Sequence, residues 1–449
     1  MVRKGEIEGR LDTGFYKPET IKFIKWLANK SHTQKLKVFI KSMNTGFNNE
    51  QNENKNGLRF LRTQNVRPVY LDFENATFTT DKTVQISKKG TLLFTRIGVN
   101  VGDVSFNNIE DFAISDNVIC ADLQDETLAY YVAIFLSTER GKILLEMQKR
   151  DTARPLISYE NIRNLLIPVL SIDEQNSVIS IFENAYSLKQ QKEAEAAALL
   201  ASIDGYLLQE LGITLPPPSE KKTYFLTRSS QVSGNRFDPF YHQTEFELLE
   251  QAIINGNYKI EKLGNFLSQI NYGASVKNEY EDSGIPFLRI TDLKRNEISV
   301  KKMMYLPESM RKEIGNSFVY ENDFLISRSG TLGVVALVEK EIDSFAYGSF
   351  MIKFTLNKNA PINKNYLSYF LNSETMQKIV AKNKIGAIQG NITIPTIRNL
   401  QIPLPPLKKQ TEIANHISAL RTQAKQLQQQ AAAELAHAKQ HVEHLILGE

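Results

Sequence analysis

The chain has 449 residues, enough for two or three domains, and its 42% hydrophobic and 23% charged residues are typical of a globular protein. No run approaches the roughly 18 consecutive apolar residues of a membrane-spanning helix, and the first ten residues lack the apolar core of a secretory signal. The net charge of +4 is too small to indicate a nucleic-acid partner by itself. The single cysteine, Cys120, excludes an intramolecular disulfide, so we expect a buried thiol in a cytoplasmic protein.

Each half of the chain begins with short β-like segments and ends with a long helical pattern. In the first half, runs such as Thr91 to Thr95 are separated by glycine and asparagine turns. A stretch rich in Gln, Glu, Lys and Ala then predicts a helix from about Asp173 to Leu211, before the Pro216-Pro217-Pro218 linker. The second half repeats this order, with β-like runs such as Phe350 to Thr355 and a proline-free helical stretch after Pro406.

The two halves are related by duplication. Four landmarks occur in the same order in each half, and the separation between partners rises only from 226 to 235 residues. The paired landmarks are Arg10-Leu11-Asp12 with Arg236-Phe237-Asp238, Gly57 to Thr63 with Gly284 to Ile290, Leu93 to Gly98 with Leu325 to Gly330, and Ile162 to Pro168 with Ile397 to Pro403.

Both predicted helices carry an apolar stripe at steps of three and four residues. A helix of about 40 residues is about 60 Å long, so the stripes are best buried against each other, with the globular domains held apart. The sequence thus predicts an α+β fold of two mixed domains, each followed by a long helix, with the helices packed as an antiparallel coiled coil of approximate twofold symmetry. The alternative is that each helix folds back on its own domain. The predicted seam residues are Ile181, Leu188, Leu199 and Ile203 in the first helix and Ile417, Leu420, Leu427, Leu435 and Val442 in the second.

In combination, these features resemble the specificity subunits of type I restriction-modification systems. The resemblance is carried by IPLPPLKKQTEIANHI at Ile402 to Ile417, by its degenerate twin at Ile167 to Phe182, and by the paired segments GLRFLRTQNV and GIPFLRITDL. It implies that each globular domain is a target-recognition domain for one half of a split DNA sequence. The resulting boundaries are 1–168 for the first target-recognition domain, 169–213 for the first spacer helix, 214–233 for a Pro-rich linker, 234–403 for the second target-recognition domain and 404–449 for the second spacer helix.

The resemblance also implies partners. The helices would dock two adenine methyltransferase subunits, which a motor-nuclease subunit can join, while the chain itself binds double-stranded DNA and no membrane. It would hold no cofactor of its own, because S-adenosylmethionine belongs to the methyltransferase. A nearer alternative keeps the DNA target but replaces these partners with a fused methyltransferase-nuclease.

Polar loops supply the candidate DNA-binding residues. Base reading needs donors and acceptors on loops, positioned by phosphate contacts from basic or small polar groups. The candidates are Gly46, Asn48, Arg62, Thr63, Arg96 and Arg154 in the first repeat, and Ser275, Lys277, Arg289, Thr291, Asp292, Arg328, Gln389 and Asn391 in the second. Because Arg96 and Arg328 occupy the same place in both repeats, they cannot explain two different half-sites, and a phosphate contact and a structural ion pair both stay open for them.

No catalytic motif accompanies these loops. The chain has neither the Asn/Asp-Pro-Pro-aromatic motif of an amino-methyltransferase nor a Walker-type GxxxxGK[ST] loop. His437, His441 and His444 recur at helical spacing, but no cysteine or acidic cluster accompanies them, which favours a solvated or partner-facing stripe over a zinc site. We therefore expect a non-catalytic subunit without a metal.

Two functions of different classes stay open. One is a DNA-binding specificity subunit, for which opposed helices would present the two domains to half-sites about 34–36 Å apart on one duplex. Because the recognition loops differ between the repeats, its target should be interrupted and asymmetric. The other function is a coiled-coil scaffold with no DNA affinity, which salt-dependent DNA binding would exclude.

Overall fold

The chain forms two structural units, of which the first is assembled from two segments that are distant in sequence and the second from one continuous stretch. The computed structural model describes residues 18–98, 100–149, 155–217, 239–276, 279–384 and 390–448. The first unit contains the described residues up to Ala194 together with those from Leu427 onward, and the second unit runs from Glu195 to Gln426. Each unit therefore combines one globular domain with parts of both long helices.

Among its described residues, the first unit contains ten short strands and four helices before the first long helix. Helix α2 is almost entirely buried, and Asp125 caps it by accepting a hydrogen bond from the Leu128 amide. The strands are β1 Thr33–Lys35, β2 Ile40–Thr45, β3 Leu58–Leu61, β4 Thr77–Thr79, β5 Ile86–Ser87, β6 Leu92–Thr95, β7 Val104–Phe106, β8 Phe112–Ile114, β9 Val118–Leu123 and β10 Leu166–Pro168. The helices are α1 Pro18–Ala28, α2 Glu126–Ser137, α3 Glu139–Gln148 and α4 Tyr159–Arg163, followed by the long helix α5 Ile172–Leu211.

The second unit repeats this plan, with eleven strands in the part of it that the structure describes. Its elements occur in the order that the sequence predicts, a mixed domain followed by a long helix. The strands are β11 Ile260–Lys262, β12 Leu267–Tyr272, β13 Ile285–Leu288, β14 Leu293–Lys294, β15 Glu297–Ile298, β16 Tyr305–Leu306, β17 Phe324–Ser327, β18 Val335–Leu337, β19 Ala346–Tyr347, β20 Met351–Leu356 and β21 Gln401–Pro403. The helices are α6 Thr244–Ile254, α7 Arg311–Ile314, α8 Lys364–Asn372, α9 Glu374–Lys382, α10 Ile394–Arg398 and the long helix α11 Leu407–Leu447.

Sheet topology confirms the duplication. In the first unit the central antiparallel sheet has the order β2-β9-β6-β7, and in the second the corresponding sheet has the order β12-β20-β17-β18. A second sheet in each unit contains one parallel pair, β3 with β8 and β13 with β19. The strand before each long helix pairs with an early strand, β10 with β1 and β21 with β11. The same strand order from diverged sequences means that the repeats share one fold.

The long helices bury their ends in different cores. In the first unit, Phe182 near the start of α5 and Val442 near the end of α11 belong to one hydrophobic core. In the second unit, Leu211 at the end of α5 and Ile417 near the start of α11 share another. The alternative in which each helix packs only on its own domain is therefore wrong. Among the helices of the described residues, none is apolar over a long enough stretch to cross a membrane.

The buried face of the helices differs in detail from the predicted seam. Ile417 and Val442 are fully buried, but Leu188 is 38% exposed. Its prediction as a seam residue is wrong because the inward face of α5 passes through Phe182 and Ala196 with helical periodicity, and Leu188 lies beside that face. The other predicted seam residues, Ile181, Leu199, Ile203, Leu420, Leu427 and Leu435, are half-buried.

The join between each domain and its helix is held by buried polar groups. The Tyr131 hydroxyl donates to the Pro168 carbonyl at 2.7 Å, and Tyr366 donates to the Pro403 carbonyl at 2.8 Å in the second unit. The side chain of Gln410, at the start of α11, is fully buried and bonds three backbone groups, whereas Gln175 at the start of α5 bonds one carbonyl and leaves its Oε1 unpaired. Both Oε1 and Nε2 of the buried glutamine therefore have hydrogen-bond partners in the second unit, whereas its counterpart in the first unit leaves Oε1 without a partner.

We expect Gln410→Ala to destabilise the chain by about 2–4 kcal/mol, because it leaves the Asn363 amide and two carbonyl groups buried without partners. The matched variant Gln175→Ala should cost about 1 kcal/mol, since only one hydrogen bond is lost. Urea unfolding of the full chain measures both. Equal losses would show that these hydrogen bonds do not determine the stability of the join.

The second unit has a buried ion pair at positions where the first unit has two uncharged side chains. Lys353 lies 3.5 Å from Asp323, with both side chains about 5% exposed or less, and its Nζ donates to the Phe318 carbonyl at 2.7 Å. The equivalent positions in the first unit are Cys120, directly opposite Leu93 in the sheet, and Thr91. The cysteine is buried as predicted, and its environment raises the pKa of its thiol, chiefly through burial.

Replacing only Lys353 with cysteine should destabilise the second unit by about 3–5 kcal/mol, because the Asp323 carboxylate is left buried without its cation. The double variant Asp323→Thr with Lys353→Cys imports the uncharged pair of the first unit and should recover most of that loss. Thermal and urea unfolding of the wild type and the variants test this coupling. Additive losses in the double variant would contradict it.

Candidate nucleic-acid interface

The predicted binding loops of the first unit lie at one end of its sheets. Thr45, the last residue of β2, pairs with Ile119, and Thr95, the last residue of β6, pairs with Val118. The end of β3 pairs with the end of β8. The loops that follow β2, β3 and β6 therefore emerge together, next to the start of β9.

The second unit places its loops in the same way. Tyr272 at the end of β12 and Ser327 at the end of β17 pair with the first two residues of β20. Ser329, in the loop after β17, forms an antiparallel bridge with Asn391. We call this end of each unit its loop edge. It comprises residues 46–48, 62–65, 96–98 and 115–117 in the first unit, and 273–276, 289–292, 328–333, 348–350 and 390–391 in the second.

Glycine at the first loop position is required by packing inside the protein. A Cβ atom on Gly46 would lie 1.7 Å from the Ile114 carbonyl oxygen, and one on Gly273 would lie 2.2 Å from the Gly348 oxygen. The sequence predicts Gly46 as a site where DNA approaches the backbone. The structure corrects this, because the close neighbour is the protein's own backbone and Gly46 is buried.

The Arg62 and Arg289 segments share a capped turn after β3 and β13. The Asn65 side chain accepts from the Arg62 amide at 2.9 Å, and Asp292 accepts from the Arg289 amide at the same distance. Asp292 also pairs with the Arg289 guanidinium at 3.1 Å, and this hydrogen bond raises the pKa of Arg289. Asp292 is only 4% exposed. Its predicted DNA contact is therefore replaced by a structural role, because both carboxylate oxygens are engaged within the turn.

Neighbouring side chains on these turns face outward. Thr291 is exposed and lines a cleft of about 470 Å³ together with Lys294, Arg295, Gly330 and Thr331. In the first unit, half-buried Thr63 lies near Gly98, and its Oγ1 is 3.9 Å from the place that a Cβ atom on that glycine would occupy. The turn after β3 or β13 and the loop after β6 or β17 are thus neighbours in both units.

Arg96 and Arg328 occupy equivalent positions at the two loop edges. The Arg96 amide donates to the Asn117 carbonyl at 2.8 Å, and the Arg328 amide donates to the Phe350 carbonyl at 2.8 Å. The Arg328 guanidinium lies over the Tyr272 ring at 4.7 Å, and its buried Nε has no hydrogen-bond partner. Within the described parts of the chain neither arginine has a carboxylate partner. The interpretation as a structural ion pair therefore has no support among these residues.

The remaining predicted residues differ in where the structure places them. Asn48 and Ser275 are exposed at the loop edges, and Asn391 is half-buried beside Ser329. Arg154, Lys277 and Gln389 lie outside the described residues. Arg62 is exposed and hydrogen-bonds the Gln51 side chain, whereas Arg289 is half-buried.

Sequence reasoning missed three residues at or beside the loop edges. Phe350 is 50% exposed and accepts the hydrogen bond of the Arg328 amide, and Tyr272, the last residue of β12, is 40% exposed and lies under the Arg328 guanidinium. Asn117 is the equivalent of Phe350 in the first unit. For Asn117 and Phe350 the available signal was their position directly before the buried strands β9 and β20 in the aligned repeats. No sequence motif marks any of the three residues.

Asp103 is an acidic group with a perturbed pKa close to the first loop edge. Asp103 closes the hairpin that begins at Arg96, and burial raises the pKa of its carboxyl, with Arg67 and Lys142 acting in the opposite direction. The amino group of Lys439 on α11 also has a perturbed pKa, which is lowered to about 8 chiefly by burial and further by the charge of Lys142. His437, His441 and His444 are exposed along the same helix.

Several known proteins are similar to this chain. Residues 255–437 match the family model described as the type I restriction modification DNA specificity domain. The putative type I restriction enzyme MjaX specificity subunit of Methanocaldococcus jannaschii is 27% identical over 185 residues, covering 40% of this chain and 43% of the relative. The MjaVIII specificity subunit of the same organism is 22% identical over 291 residues, covering 64% and 62%.

Other matches agree in name. The EcoKI specificity subunit of Escherichia coli is 24% identical over 253 residues, covering 50% of this chain and 54% of the relative. A solved type I restriction-modification S subunit from M. genitalium has a TM-score of 0.43 and 13% identity, with 92% and 95% of the two chains covered. The matched regions span less than two thirds of the length of the curated relatives. The resemblance inferred from the sequence is thus confirmed: the chain is similar to the specificity subunits of type I restriction enzymes, with its specificity-domain match at residues 255–437.

Proposed function

We propose that the chain is a non-catalytic, sequence-specific DNA-binding subunit that recognises an interrupted, two-part target. One observation carries the proposal: both units gather their polar loops at equivalent sheet ends, each around an arginine that lacks a carboxylate partner within the described residues. A guanidinium with uncompensated charge beside exposed polar loops suits a DNA backbone. Arg96 and Arg328 then contact phosphates, and side chains that differ between the units read bases.

The proposed target is bipartite because the recognition fold is present twice. In each unit the start of one long helix shares a core with the end of the other, which supports an antiparallel coiled coil with approximate twofold symmetry. Such a spacer would present the two domains to half-sites about one helical turn apart on one duplex. Because the loop-edge side chains differ between the units, we expect two different half-sites.

The proposed partners are DNA methyltransferase subunits, two per chain, which use S-adenosylmethionine for the chemistry that this chain directs. A restriction motor-nuclease can join that complex, and a fused methyltransferase-nuclease is the alternative partner. The names of the relatives support a restriction-modification role. A scaffold without DNA affinity has no use for a repeated arginine that lacks a carboxylate partner among the described residues, and this observation favours the DNA-binding function.

Arg328→Ala should weaken binding to every DNA sequence by a similar factor and reduce the slope of log affinity against log salt by about 1, because one phosphate contact is lost. Arg96→Ala should do the same. The matched control is Arg311→Ala, an exposed arginine that is paired with Glu308 and follows β16, away from the loop edge. Fluorescence anisotropy across a salt series measures both quantities. An unchanged slope in both loop-edge variants would exclude their phosphate contacts.

Coexpression with the neighbouring methyltransferase gene in a methylation-free host should produce adenine methylation at one interrupted motif, only when this chain is present. Replacing residues 1–168 with the corresponding domain of a relative should change one half of that motif and leave the other intact. Methylome sequencing measures both effects. If both halves changed, the modular assignment would be wrong, and no motif with an active, co-purifying methyltransferase would favour the scaffold.

A further inference from the structure

Asn117 and Phe350 occupy the same structural position in the two units but differ in chemistry. Each carbonyl accepts a 2.8 Å hydrogen bond from the amide of the shared arginine, Arg96 or Arg328. Each residue directly precedes a central strand, β9 or β20, whose first residue is fully buried. The backbone at both positions is therefore fixed in the same way, and only the side chain changes.

The surroundings of Phe350 hold its ring at the surface. Its neighbour Ser349 offers a carbonyl to the Arg328 guanidinium at 3.4 Å, and that guanidinium stacks over the Tyr272 ring. Half of the Phe350 side chain is exposed, so the protein's own core does not use it fully. The result is a half-exposed apolar group on a fixed backbone, close to a cation, at the edge where DNA would bind.

The first unit offers a different surface at this place. Thr45 replaces Tyr272 at the end of the corresponding strand, and Asn117 replaces Phe350. The Asn117 amide nitrogen donates to Asp116 at 2.9 Å. An asparagine side chain can hydrogen-bond a base edge, whereas a phenyl ring can distinguish bases in the major groove only by apolar contact, for which the thymine methyl group is the available partner.

We propose that positions 117 and 350 are equivalent specificity-determining positions, and that Phe350 contacts the 5-methyl group of a thymine in the second half-site. This inference rests on the proposed DNA-binding function. Arg328 contacts the DNA backbone and thereby positions the domain. The hydrogen bond from the Arg328 amide fixes the backbone of Phe350, whose ring then meets the base edge. The shared arginine thus gives both domains one docking geometry, while the residue that accepts its amide hydrogen bond selects the base.

The test uses the full-length chain and a duplex that carries the motif found by methylation mapping. Each thymine of the second half-site is replaced in turn by deoxyuridine, which lacks only the 5-methyl group. For the wild-type chain we expect one such replacement to weaken binding about fourfold, the effect of losing one buried methyl group. Phe350→Ala should bind the unmodified duplex more weakly and be insensitive to that replacement, while Phe350→Leu, which keeps an apolar side chain, should retain sensitivity.

Tyr320→Ala is the matched control. Tyr320 is 53% exposed and precedes β17, so it lies at the end of the same sheet opposite Phe350, and its loss should change neither affinity nor deoxyuridine sensitivity. The inference is overturned if no replacement affects the wild type, if Phe350→Ala keeps the wild-type sensitivity, or if the second half-site contains no thymine. A wild-type chain with no sequence-preferring, salt-dependent binding would instead overturn the proposed function itself.

Discussion

The fold depends on the burial of two apolar stripes that are longer than one domain can cover. Each long helix begins in the core of one unit and ends in the core of the other, so that Phe182 and Val442 belong to one hydrophobic cluster and Leu211 and Ile417 to another. Burial of this kind is the main favourable contribution to folding. The buried hydroxyl of Tyr131 or Tyr366 at each join then fixes where a domain passes into its helix.

Each domain separates a constant framework from a variable surface. The framework consists of the same sheet order, the same close backbone approach at Gly46 and Gly273, and the same arginine amide bonded across the sheet end. At the loop edges the two domains differ in side chains, such as Asn117 and Phe350, whose backbone makes the same contact in both. Even inside the core the two domains have diverged, since Lys353 and Asp323 form an ion pair where the first domain has Cys120 and Thr91. A duplicated fold can therefore keep its shape while its recognition surface changes.

The sequence predicted the features that depend on periodicity and repetition. The duplication and both long helices follow from hydrophobic spacing and paired landmarks. The roles of individual loop residues did not follow, because Asp292 and Gly46 are engaged by contacts that only the folded chain creates. Phe350 was missed for a related reason: a phenylalanine beside a buried strand is normally interpreted as core, and only the fold places half of its ring in solvent.

The chain segments that make up each unit also determine which unit can complete its core first during synthesis. The second unit is one continuous stretch, whereas the core of the first includes Val442, Ile446 and Leu447 from the end of α11. A ribosome makes the amino-terminal domain first, yet this domain obtains its full core only after the final helix has emerged. The later domain is therefore able to finish folding first, while the earlier one waits with part of its apolar surface uncovered.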